Sequence, residues 1–367
     1  MFHAEAIINK KNLIHNFNYI KKYVGKDVNL MPVVKANAYG HGVLEICRIL
    51  SKCDVKGFCV ALLSEVIYMR KNEINSEILH LGAIEYKFDP VLLDKKLILT
   101  INNDNDIHFL NELGKLNNHK FRVHIKVDTG MTRMGCNMKE FVEILDCCLK
   151  ESSISLEGIY SHLANSEISN SHYNSQQFRI FKKIINYLKD KSINNLKIHL
   201  LNSGGLFNYS QFNCDIIRTG LALYGISPLH HVRSKLKPVM EFKAPIILNK
   251  DIAKGTMVGY GCSYEAKKDM KISIVQCGYG DGIPYEFSNQ GFVYHDNKKI
   301  PIVGRVSMDL ISIDTTSIDC NVDDYVTIWG GEASDSKLES IADFFNNIPY
   351  TYITGITDRV VREYIDD

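Results

Sequence analysis

Eight short apolar runs separated by helical segments, then a loss of helical periodicity near residue 236, predict an α/β TIM-type (β/α)8 barrel followed by a mostly β C-terminal domain. A third observation agrees. The distinctive polar clusters fall where the apolar runs stop, which in a barrel is the catalytic rim. The 367 residues exceed one ordinary core. The expected division is an N-terminal strand within 1–10 that packs with the C-terminal domain, a barrel over 11–235, and a β domain over 236–367.

Residues 2–8 read as a strand, and 12–24 as a helix with Leu13, Ile14, Phe17, Ile20 and Val24 at helical spacing. Barrel strands are expected at 29–34, 57–61, 78–81, 97–101, 121–127, 156–160, 196–201 and 216–218. Several are continuous apolar runs, as in parallel strands buried on both faces. Helices lie between them. Residues 43–50 follow the first strand, and 175–188 carry Phe178, Phe181, Ile184, Ile185 and Leu188 on one face. Beyond 236 come β-rich runs at 242–248, 271–277, 292–295, 300–303, 309–314 and 325–329, separated by turn residues. Residues 336–346 are the one good helix candidate of that part.

Apolar content of 45% and charged content of 23% fit a soluble globular protein. A net charge of +1 gives no reason to expect nucleic acid or an anionic membrane as partner. No apolar run approaches the roughly 18 residues of a membrane-spanning helix, and no basic segment leads into a long apolar one, so a cytoplasmic location is expected. The ten cysteines include no Cys-x-x-Cys pair. They read as core thiols of a reducing compartment, without a metal site or disulfide framework.

Lys35 closes the first barrel strand. A poorly solvated amine there has a lowered pKa, is nucleophilic, and can form a Schiff base. Tyr39 can hydrogen-bond an anion over the same turn, and Gly40 and Gly42 permit backbone conformations closed to other residues. A lone lysine at a strand end is more often just a surface group, but its neighbours on the rim change that. The fifth strand ends in Lys126, Asp128 and Arg133, the sixth in His162, the seventh in Asn202 and Ser203, and the eighth in Arg218 and Gly220. Loops after the last two barrel strands often bind phosphate. The Ser203 hydroxyl and the amides of Gly204, Gly205, Gly220 and Leu221 suit that role. Phosphate opposite a Schiff-base lysine implies pyridoxal 5′-phosphate (PLP). A sugar phosphate fits less well, because it leaves Arg218 without a role. Taken singly, His162 reads as a structural histidine, Lys126 and Asp128 as an ion pair, and Arg218 as a carboxylate clamp. Their shared rim weakens those readings.

The motifs resemble the alanine racemase family over nearly the whole length. Val33-Val34-Lys35-Ala36-Asn37-Ala38-Tyr39-Gly40-His41-Gly42 matches its PLP-attachment signature. Residues 126–135 and 218–225 match two further barrel blocks. In the β domain, Val258-Gly259-Tyr260-Gly261 matches the block with the catalytic tyrosine. Residues 278–282, 303–309 and Pro349-Tyr350 match blocks at the entrance.

The resemblance implies a PLP-dependent isomerase that interconverts L- and D-alanine. It also implies a head-to-tail homodimer whose active sites are shared between subunits. Lys35 then holds PLP and serves one face of the substrate, while Tyr260 of the partner subunit serves the other. A tyrosine of reference pKa near 10 needs cationic help to act as a base, and His162 with Arg218 form the expected polar network. Arg218 is expected to face the pyridine nitrogen and keep it unprotonated. Arg133 is expected to contact the PLP phenolic oxygen and the substrate carboxylate, with the Met308 amide of the partner subunit assisting. Tyr39, Asn202, Ser203, Gly220, Leu221 and Tyr350 complete the cofactor contacts. The position of Lys126 is carbamylated in many members. Glu167, Tyr279, Tyr285, Arg305 and Ile348 fall at the entrance. Two of these depart from the family pattern: Tyr285 stands where an arginine is usual, and Glu167 where an aspartate is.

A non-catalytic PLP-binding homeostasis protein would lack the β domain and the second base. A barrel-type PLP decarboxylase would place a carboxylate, not Arg218, at the pyridine nitrogen. A racemase of serine or of several amino acids shares every motif above, because one methylene changes discrimination by only about 1–3 kcal/mol. Tyr350 and Tyr260 are bulky and favour alanine. The expected role is supply of D-alanine for peptidoglycan.

Overall fold

A computed structural model describes residues 3–212, 214–227 and 229–366. All eight expected barrel strands form: Asn29–Leu30, Gly57–Val60, Glu77–His80, Leu97–Ile101, Phe121–Lys126, Ile154–Tyr160, Lys197–His199 and Ile216–Ile217. The six from Gly57 to His199 make one parallel sheet in sequence order, and the first pairs in parallel with the last. The regular part of the first strand is shorter than expected, but its backbone bonding continues to the lysine. Val34 N–H donates to Cys59 O at 2.9 Å and Cys59 N–H to Pro32 O at 2.8 Å. At the other seam, Asp215 N–H donates to Ile198 O at 2.8 Å. The ring therefore closes and leaves no free sheet edge. Phe58, Val60, Leu79, Ile101, Val123, Ile125 and Ile159 are buried, as the continuous apolar runs require.

Helix Lys10–Val24 begins at Asn9, whose side chain accepts Asn12 N–H at 2.8 Å. Helix His172–Asp190 starts earlier than its apolar face suggested, because Ser171 caps it through Asn174 N–H. Helix Val43–Leu50 matches its expected span.

The second sheet is built around Met240–Ile252. On one side of it lie Tyr325–Trp329, Phe292–His295 and Lys298–Pro301; Met270–Val275 and Ile311–Asp314 branch from it. Glu5–Asn9 pairs antiparallel with it and parallel with Val361–Ile365. Phe2, included in the expected first strand, lies outside the described residues. Among the elements not expected are Val361–Ile365 and Pro349–Gly355. Val361–Ile365 has no buried residue, so it carries no apolar alternation. Helix Pro349–Gly355 is seven residues of mixed β-branched, aromatic and glycine composition. The expected helix at 336–346 appears as Leu338–Phe344. The main apolar core runs from the barrel into this sheet through Tyr224, Phe242, Trp329 and Tyr352, and a small separate cluster forms around Val258, Ile272 and Val303. Among the described residues no helix is long and apolar enough to cross a membrane. The ten cysteines are unpaired and mostly buried, with Cys262 exposed.

Candidate functional site

The chain leaves the first strand at Lys35 and turns with the wrong hand. Ala36, Asn37, Ala38, Tyr39 and Gly40 have φ of 51°, 54°, 54°, 53° and 80°, five consecutive residues in the left-handed region. Each non-glycine residue there costs about 1–2 kcal/mol, so the surroundings must hold the turn. They do so from both halves of the molecule. Ala38 N–H donates to Val34 O at 2.8 Å, and Gly42 N–H to Asn37 O at 2.9 Å. Arg362 Nε donates to Gly40 O at 2.7 Å, and the Tyr364 hydroxyl to His41 O at 2.9 Å. The unexpected last strand thus braces the lysine turn. A Cβ at Gly40 would overlap the Ile353 carbonyl, and one at Gly42 the Tyr364 hydroxyl. Gly40→Ala is expected to destabilise the fold by about 3 kcal/mol or more. Urea unfolding checks this, and a midpoint equal to the parent's would refute it.

The turn faces a cavity of about 670 Å³ at the C-terminal ends of the strands. Lys35, Tyr39, Lys126, Arg133, His162, Glu167, Asn202, Ser203, Arg218, Gly220, Leu221 and Tyr350 all line it. Burial first, then the Arg133 guanidinium, pulls the Lys35 amine below its usual value, with Glu65 opposing. One end is rich in hydroxyls. Ser203 Oγ accepts Gly220 N–H at 3.1 Å and Ala222 N–H at 3.3 Å, which occupies its lone pairs and leaves its proton to donate. The Gly205 amide, expected to face a phosphate, is instead taken by Asn202 Oδ1 at 2.9 Å. Burial raises the Tyr39 phenol, and burial then Glu167 raises that of Tyr350 to about 12. Both stay neutral donors. A Cβ on Gly220 would sit 2.6 Å from the Tyr39 hydroxyl and fill this end.

Arg218 is buried at the cavity floor. It donates to Ser161 O at 2.7 Å and His199 Nδ1 at 2.6 Å, lies 3.4 Å from His162 Nδ1, and stacks over Tyr160. Because a guanidinium only donates, His199 must carry its proton on Nε2 and give it to His124 Nδ1 at 2.9 Å. His162 is pushed down to about 3 by desolvation and by Arg218. It is therefore neutral, and Arg218 is the lasting cation of the pair.

Four buried histidines behind and beside the site share that behaviour: His41 and His80 are lowered to about 4, His124 to about 3, and His199 well below its ordinary value, all chiefly by burial. Their folded pKa values lie below the unfolded value near 6.5. The unfolded chain therefore takes up more protons as pH falls below about 6.5, and stability present above that pH is lost progressively toward about 4 for His41 and His80 and to lower pH for His124 and His199. Each histidine contributes up to about 1.4 kcal/mol per pH unit within the window. The urea midpoint is expected to be flat above about pH 7 and to drop steeply below about 6. A flat profile down to pH 5 would contradict this.

Lys126 is buried under Arg133 and pushed down to about 8 by desolvation, then by Arg133. The Lys126–Asp128 ion pair does not form. Asp128 Oδ1 accepts Gly130 N–H at 2.8 Å and Thr132 N–H at 3.1 Å instead. Arg133 makes no hydrogen bond or ion pair with any described residue, so its guanidinium is available to a ligand. Partial desolvation holds the Glu167 carboxyl above its usual range. Sequence reasoning missed Glu65, which binds the Ala36 amide, and the His199–His124 pair. Glu65 had one signal, its place in the first turn of a helix that follows a strand. On the outer helices, His108, Cys147 and Glu151 bring ligand-type atoms within 4.8 Å of one another without any spacing motif, and none of them lines the cavity.

The remaining candidates lie outside the cavity. Tyr260 is 72% exposed, and Tyr279, Tyr285, Arg305, Met308 and Ile348 are exposed too. The β-domain blocks nevertheless meet one another. Tyr279 N–H donates to Ser307 O at 3.0 Å, and Gly280 N–H to Met308 O at 2.9 Å. Arg359 ties the two loops through Asp281 at 3.2 Å and Asp309 at 2.8 Å. The Arg305 guanidinium lies against Gly261, beside Tyr260. Of this domain's candidates, Tyr350 alone enters the chain's own cavity, carried by the short helix Pro349–Gly355.

Residues 8–228 match the family model described as alanine racemase, N-terminal domain, and residues 239–364 match alanine racemase, C-terminal domain. The chain is 34% identical over 363 residues to alanine racemase of Halothermothrix orenii, covering 98% of this chain and 96% of the relative. It is also 34% identical over 366 residues to alanine racemase 2 of Caldanaerobacter subterraneus, covering 98% and 94%. Among solved structures, alanine racemase of Clostridium difficile 630 superposes with a TM-score of 0.93 at 30% identity, covering 100% of this chain and 97% of that one. The Bartonella henselae alanine racemase, solved with covalently bound pyridoxal phosphate, gives 0.90 at 30% identity with both chains fully covered.

Proposed function

The chain belongs to the alanine racemase family, and on that premise we propose that it interconverts L- and D-alanine with PLP, using one base from each of two subunits. One observation carries the reading: a desolvated lysine, a buried arginine and a hydroxyl-rich end open on the same cavity.

The residues fit the cofactor. Tyr39, Ser203 and Tyr350 offer neutral hydroxyls to a phosphate at the end that a side chain on Gly220 would block. Asn202, Leu221 and His162 line the same wall. Arg218, held by a neutral histidine and a backbone carbonyl, would donate to a ring nitrogen of the cofactor and so would keep that nitrogen unprotonated. Lys35 is the amine for covalent attachment. When bound, PLP draws electrons from the substrate and makes its Cα–H acidic.

The protein's part is to orient the substrate and move one proton. Arg133, free of other partners, can clamp the substrate carboxylate. Lys126, with its pKa lowered to about 8, has a neutral fraction that can take up CO2 as a carbamate, releasing a proton to solvent; this would replace a positive charge beside Arg133 with a negative one. Lys35, with a lowered pKa, holds or takes the Cα proton on one face. Tyr260 stands outside its own cavity, so a second copy of the chain supplies it to the opposite face, together with the Met308 amide. The exposure of Tyr260, Tyr279, Tyr285 and Met308 on joined loops supports such a homodimer, with Glu167, Arg305 and Ile348 around the entrance. Tyr350 in the cavity leaves little room beyond a methyl group, which favours alanine over serine. The role this implies is supply of D-alanine for peptidoglycan in the cytoplasm.

The test is L-alanine with PLP-loaded protein in deuterated water. Deuterium at Cα together with loss of optical rotation is expected, faster than with L-serine at matched concentration. A cofactor band without exchange would point to a PLP carrier, and faster turnover of serine would overturn the substrate assignment.

A further inference from the structure

The turn that presents Lys35 is held by a carboxylate to which neither the motifs nor the mechanism assigns a role. Glu65 lies on helix Leu63–Lys71, just beyond the second barrel strand. Its Oε1 accepts Ala36 N–H at 2.6 Å. Its Oε2 accepts Ala61 N–H at 2.8 Å and Leu62 N–H at 3.0 Å. Among the described residues it forms no ion pair with lysine or arginine within 4.0 Å, so its partners are three backbone amides.

Ala36 is the residue after Lys35 and the first of the left-handed run. Its amide opens the turn, and the first amides of a helical turn have no acceptor within it. Ala61 and Leu62 follow the neighbouring barrel strand Gly57–Val60. The carboxylate therefore ties the strained turn to the adjacent strand end, one oxygen on each. We propose that Glu65 is a positioning residue for Lys35. It locks the left-handed turn against the second strand and so fixes the direction in which the lysine side chain enters the cavity. Its charge has a second effect: it counters the loss of basicity that burial and Arg133 impose on the Lys35 amine. The proposal rests on Lys35 being the reactive lysine.

Glu65→Gln tests it at constant size. A glutamine side chain has one acceptor oxygen for two sets of donors, and its amino group would meet N–H groups on the other side. Amide exchange is followed by mass spectrometry in the full chain, with and without PLP. In the parent, the peptide containing Ala36 is expected to be protected. In Glu65→Gln its exchange rises on the order of tenfold, while the peptide over strand Phe121–Lys126 stays unchanged. In PLP-free protein, pH-dependent reductive methylation of Lys35 shifts to lower pH in Glu65→Gln, because a charge that raised the amine pKa is gone. Glu65→Asp keeps that charge but shortens the reach. It is expected to keep the parent pH profile with fast exchange at the turn.

Fast exchange at Ala36 in the parent itself would overturn the proposal without any variant. So would an unchanged turn in Glu65→Gln, or exchange raised equally throughout the chain. None of these readouts needs turnover. Absence of racemisation with the exchange pattern as expected would sink the functional reading and leave the positioning role standing.

Discussion

Lys35→Ala is expected to give a folded protein that shows no borohydride-bleachable visible band with PLP and racemises alanine at least about 10⁴-fold more slowly than the parent. Two losses coincide at this residue. On the proposed mechanism the amine is both the covalent attachment point and the base for one face. Its environment suits both roles, since burial and Arg133 lower its pKa while the cavity gives it access to a ligand. The fold should survive, because the left-handed turn is held by backbone bonds and by Glu65, Arg362 and Tyr364, none of which hydrogen-bonds the Lys35 side chain. The absorption spectrum, borohydride treatment and polarimetry read the outcome together. A retained, bleachable band would mean that another lysine carries the cofactor. Lys126, with its pKa near 8, would be the first to examine.

Tyr260→Phe should separate the two functions. Cofactor absorption is expected to match the parent, because Tyr260 does not line its own chain's cavity. Turnover is expected to fall by about 10²–10⁴-fold, the usual contribution of a positioned acid or base. A mixing experiment adds a test of subunit sharing. Lys35→Ala and Tyr260→Phe proteins, each nearly inactive, are unfolded together and refolded in equal amounts. If the protein is the proposed homodimer with shared sites, half of the dimers then pair one of each, and each such dimer holds one site with both Lys35 and Tyr260. Activity should recover to about a quarter of the parent's. No recovery would place both bases on one chain, and near-normal turnover by Tyr260→Phe alone would remove it from the reaction.

The barrel was legible because its signal is local and repeated. Runs such as 97–101 are largely apolar, and a strand buried on both faces uses such a run at that length. The motif around Lys35 was equally legible, but its shape was not. Glycines at 40 and 42 signal backbone freedom; they do not reveal that Ala36, Asn37, Ala38 and Tyr39 are left-handed as well. That conformation opposes the intrinsic preference of each residue. It exists because Glu65, Arg362 and Tyr364 arrive from 29, 322 and 323 residues away in sequence. Val361–Ile365 is hidden in the sequence for a related reason. Its value lies in backbone pairing with Glu5–Asn9 and in two side chains that reach the turn, neither of which leaves an apolar pattern.

The protonation states divide in the same way. Sequence identifies His162 and Arg218 as polar groups at one rim. Only the packed structure shows that desolvation makes His162 neutral while Arg218 remains the cation. Residue type and order by themselves determined the two-part architecture, the strand ends that line the cavity, and the family. Tertiary structure decided which groups are charged, which amides are already occupied, and which half of the molecule holds the lysine turn. Local pattern depends on the chemistry of neighbours along the chain. Desolvation, strain and hydrogen-bond satisfaction depend on neighbours in space, which come together only when the chain has folded.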